Sequence, residues 1–279
     1  MYSERACTKR VAVALLSALG VAAAIPAGAE ERVSAENMFD GQWHFGVTPY
    51  AWLPTIYTSA TFQPLGIAGG LQANMHSDPG TYLHNLSFAF FLAGEARKGD
   101  WSLLADYIYM KFDRQNSGVK PLNIGGGAAA LPIDSSMSLK SNVLTLAGSY
   151  TAWRRGASHL DILAGTRYLN MDAGLDFSLF GIAGGRSASA SMNKWDAIVG
   201  LKGQADLDAE GKWFMPYYLD VGAGSANTTW QALVGVGYRY GWGDLTLAVR
   251  NLSYNFTGGG GGTVEPRFTG FALAATFPF

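Results

Sequence analysis

The sequence predicts an all-β chain: a transmembrane, up-and-down antiparallel β-barrel of about ten strands, with eight to twelve open. Three observations lead there. Apolar and polar or small residues alternate with a period of two through most of the chain, the signature of strands. Tight turns alternate with longer Gly-rich stretches between these runs. The apolar faces end repeatedly in Trp or Tyr. No segment sustains a 3.6-residue periodicity with caps, which argues against a helical fold.

Arg5, Lys9 and Arg10 precede an apolar run from Val11 to Ile25, and Ala27-Gly28-Ala29 follows as a small-residue cleavage site. Residues 1–29 therefore read as a secretory signal peptide. The run is about 15 residues, short of the roughly 20 a spanning helix needs. Residues 30–42 are polar and patternless and read as a periplasmic N-terminal tail; 43–279 read as the barrel. The one cysteine, Cys7, lies before the apolar run, so the mature chain has no thiol for disulfides, thiolate metal sites or a cysteine nucleophile. With 15% charged residues and a formal net charge of −1, the chain lacks the basic surface that nucleic acid requires.

The first strand begins at Trp43, where Trp43, Phe45 and Val47 alternate with His44, Gly46 and Thr48. Pro49 and Pro54 imply a bulge or bend in it. Ile56–Phe62 either continues this strand or starts another, and 63–85 read as loop around Asp78-Pro79-Gly80. Leu86–Arg97 then turns through Lys98-Gly99-Asp100 into Trp101–Phe112, and 113–137 read as a long loop. The later strands are Ser138–Ala152, His159–Met171, Ser191–Ala205, Trp213–Gly222, Thr228–Tyr240, Asp244–Phe256 and Phe268–Phe279, with loops at Gly181–Arg186 and Gly258–Gly262. Short turns facing the periplasm and long loops facing outward give a barrel this rhythm.

The two faces separate a membrane barrel from the alternative, a soluble β-sandwich. Trp101-Leu103-Ala105-Tyr107-Tyr109, Trp213-Met215-Tyr217-Leu219-Val221 and Trp230-Ala232-Val234-Val236-Tyr238-Tyr240 are apolar faces bounded by amphipathic rings. The opposite face carries Glu95, Arg97, Asp106, Asp161, Arg167, Asp196, Lys202, Asp220, Arg239, Asp244 and Arg250, with Gln204 and Gln231. Six acids and five bases imply a nearly neutral lumen whose charges pair across strands. Gly165, Gly200, Gly203, Gly235 and Gly237 leave room for long side chains or permit bends.

The final strand, F-T-G-F-A-L-A-A-T-F-P-F, places Phe271, Leu273, Phe277 and Phe279 on one face. It resembles the closing strand of bacterial outer-membrane barrels, which implies recognition by the barrel-assembly machinery. The runs K-W-D-A-I-V-G-L-K-G-Q-A-D-L (Lys194–Leu207), W-F-M-P-Y-Y-L-D-V-G-A-G-S (Trp213–Ser225) and T-W-Q-A-L-V-G-V-G-Y-R-Y-G-W-G (Thr229–Gly243), with V-T-P-Y-A-W-L-P (Val47–Pro54) and E-A-R-K-G-D-W (Glu95–Trp101), resemble uncharacterised proteobacterial outer-membrane, porin-like barrel proteins. That resemblance implies location in the outer membrane of a Gram-negative bacterium, among lipid and lipopolysaccharide, and supplies no catalytic residues.

The expected function is porin-like passage or binding of small solutes; the alternative is a structural surface barrel with a closed lumen. An outer-membrane lipid-modifying enzyme is the weaker third reading. His44, His76, His84 and His159 sit in no recognisable nucleophile motif. No metal is expected, since no histidine pair or acidic loop has ligand spacing. No cofactor is expected either: the glycine runs at 124–127 and 258–262 lack the ending of a phosphate loop.

Overall fold

A computed structural model describes residues 37–62, 71–124, 127–179, 186–226, 228–257 and 263–279. The stretch 1–29, read from the sequence as a signal peptide, lies outside the described residues, as do Gly181–Gly185 and Gly258–Gly262. Among the described residues eleven antiparallel strands follow in chain order: β1 (Trp43–Phe62), β2 (Leu71–Ser77), β3 (Leu86–Lys98), β4 (Trp101–Ile124), β5 (Gly127–Arg155), β6 (Ser158–Leu179), β7 (Arg186–Asp206), β8 (Trp213–Gly224), β9 (Thr228–Arg239), β10 (Asp244–Thr257) and β11 (Thr263–Pro278). Each pairs with its sequence neighbour from β3 to β11, and β11 pairs with β1, closing the sheet. β2 pairs only with the far half of β1, Ile56–Phe62, so the wall has ten strands and β2 is an appended hairpin arm. Ile56–Phe62 thus continues the first strand.

The outer surface is the apolar one. Leu103, Leu146, Ile162, Val199, Leu219, Val234, Leu247 and Phe271 are exposed on successive strands, while inward positions such as Asp161, Arg167 and Asp220 are fully buried. Rings border this band at both ends. At the short-turn end Trp101 packs on Tyr150 (centroids 5.0 Å apart) and Trp213 on Tyr238 (4.9 Å); at the other, Tyr168 packs on Trp195 (4.7 Å). The ten steps from Trp230 to Tyr240, rising ~3.3 Å each on strands tilted ~40°, span about 25 Å, the height of an outer-membrane apolar band. A soluble sandwich would bury this face. The protein is an outer-membrane β-barrel, with no helix among the described residues long and apolar enough to cross a bilayer.

Three expectations about connections are corrected, the first being the loop read over 63–85, where Leu71–Ser77 is strand β2 and Pro79–Tyr82 a helical turn. The supposed loop 113–137 is strand: β4 and β5 stay paired from Trp101↔Tyr150 to Ile124↔Gly127. Likewise β6 and β7 extend to Leu179 and back from Arg186, well past Met171 and Ser191. The apolar alternation ends where the band ends, but backbone pairing is indifferent to side-chain polarity and carries the hairpins onward.

The two prolines of β1 produce no bulge or shift of register. Gly46↔Pro278, Val47↔Phe277, Tyr50↔Ala274 and Ala51↔Leu273 share one register, and only the rungs at Thr48 and Pro49 are missing. Phe45 exchanges both backbone bonds with Phe279, so odd residues of β1 face β11, and Pro49 removes a donor on that side. The Thr48 and Thr276 hydroxyls, 2.9 Å apart, bridge the gap. Pro54 faces the opposite way, where β1 has left β3: that ladder ends at Pro49↔Leu92, although both strands run on. A one-turn helix, α1 (Pro79–Tyr82), lies beside this opening, and the buried Tyr82 hydroxyl donates to the Pro54 carbonyl at 2.7 Å. A proline is tolerated mid-strand here because its edge is locally unpaired.

Candidate functional site

The interior is stacked in layers along the barrel axis, and most of the charged residues predicted to line it fall into two clusters. Near the short-turn end, Glu95 and Arg97 (β3) meet Asp161 (β6) and Lys202 (β7). Arg97 donates to Asp161, to Glu95 Oε1 (3.0 Å) and to the Thr151 hydroxyl (2.8 Å). Lys202 Nζ lies 2.6 Å from Glu95 Oε1 and 3.3 Å from Asp161. Thr151 donates to the remaining Asp161 oxygen at 2.7 Å, so this fully buried carboxylate is satisfied on both sides.

The second cluster crosses the middle of the lumen. Arg167 (β6) forks onto both oxygens of Asp220 (β8), with Nη1–Oδ1 at 3.0 Å, and both side chains have zero exposure. The same guanidinium reaches Thr145 (3.2 Å), Thr229 (3.1 Å) and Gln231 Oε1 (3.4 Å). Gln231 Oε1 also accepts from Arg250 at 2.9 Å, and Arg250 donates to Asp106 (2.5 Å) and Tyr50 (2.8 Å). Tyr50 completes the ring by donating to Asp106 at 2.6 Å. Side chains from β1, β4, β5, β6, β8, β9 and β10 thus form one hydrogen-bonded layer.

Above this layer the lumen is apolar. Trp52, Phe91, Ile108, Met110, Val143, Leu169, Leu252 and Tyr254 are buried inward-facing residues packed against one another. The inner face is therefore not ionic throughout. The Arg250 guanidinium joins the two layers, 5.0 Å from the Trp52 ring centroid and 5.6 Å from that of Tyr50.

Three predicted lining residues lie elsewhere. Arg239, near the short-turn rim, pairs with Asp206 (3.0 Å), donates to the Gly211 carbonyl and sits 4.5 Å over the Phe214 ring. Asp196 pairs with no cation among the described residues: its Oδ1 accepts the Ala226 backbone N–H at 2.8 Å, tying β7 to the β8–β9 turn. Asp244, at the start of β10, lines the space beneath the central layer. Of the tail read over 30–42, residues 37–42 are described. A 3-10 turn (Asn37–Phe39) places Phe39 5.0 Å from the guanidiniums of both Arg97 and Arg154 and edge-on to His159, capping the first cluster. Phe271, Leu273, Phe277 and Phe279 point outward, and Phe279 stacks on Phe45 at 5.9 Å.

Sequence reasoning missed Tyr50, Thr145, Thr151, Thr229 and Asp206. Each shares the inward parity of its strand, and parity extended to hydroxyls would have found them. Parity also explains Gly237, where a Cβ would overlap the Phe214 ring that carries Arg239, and Gly203, crossed by Tyr217 as its hydroxyl donates to the His159 carbonyl (2.8 Å). The histidines stand apart. His44 contacts Asp40 (2.8 Å), His76 contacts Asp78 (3.1 Å), His84 the Gly80 carbonyl (3.2 Å) and His159 the Ala157 carbonyl (3.0 Å). Among the described residues, no group of three or more His, Cys, Asp or Glu is placed to hold a metal ion.

No protein-family model and no curated protein matches the chain. Solved structures that resemble it are outer-membrane proteins. The translocator domain of autotransporter NalP from Neisseria meningitidis is 13% identical over 98% of both chains, with a TM-score of 0.43. Outer membrane protease OmpT from Escherichia coli is 10% identical over 86% of this chain and 98% of its own, at 0.49. A FadL homologue from Pseudomonas aeruginosa is 13% identical over 88% and 92%, at 0.26. At these values no likeness bears on what this chain does.

Proposed function

We propose that this is a non-enzymatic surface barrel whose lumen is sealed at mid-height, rather than a diffusion pore. The central hydrogen-bonded layer carries this reading. A conducting lumen needs a continuous wet path, yet Arg167, Asp220 and Asp161 are fully buried and an apolar layer lies directly above. The balance of acids and bases also fits: ions held by one another present little net field to a passing solute. Non-enzymatic character is supported by the histidines, each of which contacts a lone acid or a backbone carbonyl with no serine in the set. Phe271 and Leu273 lie exposed on β11, the strand that makes the seam with β1, where an assembly machinery can read them before closure.

Swelling of proteoliposomes in arabinose or glycine tests the seal. The full chain should swell no faster than protein-free vesicles; swelling at the rate of a general porin would overturn it. Lipid A from a strain lacking the protein should keep its mass spectrum, and a changed acyl or phosphate pattern would restore the enzymatic reading.

A further inference from the structure

The outer wall of the barrel is indented along β3. A furrow of about 550 Å³ lies there, within the ~300–1,000 Å³ range of small-molecule sites. Its floor is Gly94 and Ala96 of β3 with Ala105 of β4, and in register Ala96 lies between Phe45 and Leu103. Of the described residues lining it only Glu95 is charged, and that carboxylate turns into the lumen onto Arg97 and Lys202.

The barrel's own packing does not demand this hollow. At Gly165, Gly200 and Gly235 an added Cβ would strike the facing strand. At Gly94 it would meet, among the described residues, only the Gly46 carbonyl at 3.7 Å, an ordinary contact. A side chain would fit, yet the position is glycine, which weakens a strand and marks the close approach of another group.

The foot of the furrow is charged. Lys98 follows Ala96 on the same face of β3, exposed, with Trp43 and Trp101 as its register neighbours. Its Nζ lies 5.7 Å from the Trp43 ring centroid, and it pairs with no carboxylate among the described residues. The acids of the adjoining segments, Asp100 and Asp40, contact Arg154 (3.1 Å) and His44 (2.8 Å). Indole rings at the short-turn end border the apolar band at headgroup depth, on the side that faces the periplasm.

We propose that this furrow holds one glycerophospholipid of the periplasmic leaflet, with its phosphate on Lys98 and an acyl chain along Ala96 and Gly94. Charge complementarity selects this occupant over a second barrel. Barrels in one membrane share an orientation, so a two-fold axis would run along the membrane normal and set Lys98 against Lys98, hollow against hollow. The site lies outside the wall, so neither a sealed nor a conducting lumen bears on it.

Native mass spectrometry tests this on the refolded full chain, released from detergent micelles carrying palmitoyl-oleoyl phosphatidylglycerol. One lipid should be retained saturably. Lys98→Gln should weaken its binding at least ~10-fold, the scale of losing one charge-assisted contact, and Lys98→Arg should keep it. Lys212→Gln, on another short turn, should leave it unchanged. Gly94→Leu fills the hollow with every charge in place and should abolish retention in a barrel whose folding is verified by heat-modifiable migration. Palmitoyl-oleoyl glycerol, with the same chains and no phosphate, should not saturate. The proposal is overturned if that diacylglycerol binds as tightly, if Lys98→Gln binds undiminished or Lys212→Gln loses as much, if folded Gly94→Leu retains the lipid, or if a dimer that Gly94→Leu dissociates appears in place of a lipid-bound monomer. The lysine variants leave the wall unaltered and decide the matter even where the leucine variant misfolds.

Discussion

Replacing Arg167 by alanine separates a sealed lumen from a wet one. In the structure the guanidinium and its partner Asp220 have no exposure, and the fork is their main satisfaction. Removing the arginine leaves Asp220 as a buried carboxylate without its cation. Breaking a buried pair in this way costs ~3–5 kcal/mol, whereas a solvated pair is worth ~0–1 kcal/mol. At ~1.4 kcal/mol per tenfold, the sealed barrel should lose roughly 100- to 4,000-fold in its folding equilibrium. A water-filled one should lose no more than about fivefold. The measurement is equilibrium urea unfolding from large unilamellar vesicles, followed by tryptophan fluorescence, for Arg167→Ala, Asp220→Ala and the double variant Arg167→Met with Asp220→Leu. The double variant should recover most of the loss, since an apolar pair of similar volume often replaces a buried ion pair without cost. Singles within ~1 kcal/mol of the parent would refute the reasoning.

Other consequences follow from single contacts. Tyr82→Phe removes the hydroxyl bonded to the Pro54 carbonyl and should destabilise by ~1–3 kcal/mol, with faster hydrogen exchange confined to β1 between residues 50 and 55. Gly237→Ala places a methyl where the Phe214 ring lies and should cost ~1–3 kcal/mol; an unchanged unfolding curve would mean the ring moves freely. Phe39→Ala should expose the Arg97 cluster and speed proteolysis of residues 37–42 without altering barrel folding. The His44 hydrogen bond to Asp40, whose carboxyl lies outside the strands, holds that carboxyl below its usual range. Its folded pKa is depressed, so the contact is kept at higher pH and lost as pH falls through the depressed value; residues 37–42 should become protease-sensitive only in acid.

Much of the fold was legible because lipid and lumen impose opposite chemistry on adjacent residues. Ile162 and Asp161, or Leu219 and Asp220, declare their faces by themselves, and the same alternation fixed which charges share an interior. Partner choice was not legible: Arg167 finds Asp220 two strands away, and Arg250 finds Asp106 across the barrel, distances that strand parity does not encode. The apolar upper lumen was hidden for a related reason. Around Ile108 both faces are apolar or aromatic, Tyr107 and Tyr109 outward and Ile108 and Met110 inward, so alternation loses its contrast. The hairpin arms beyond residue 113 were hidden because pairing there is held by backbone groups that every residue carries.

Single-channel recording bears most directly on the central layer. Refolded full chain, with insertion into a planar bilayer verified independently, should pass no resolvable current at 100 mV in molar salt. Well-defined steps in that trace, with a reversal potential that moves when Arg167 or Arg250 is neutralised, would mean that these side chains line a conducting path and contradict the account.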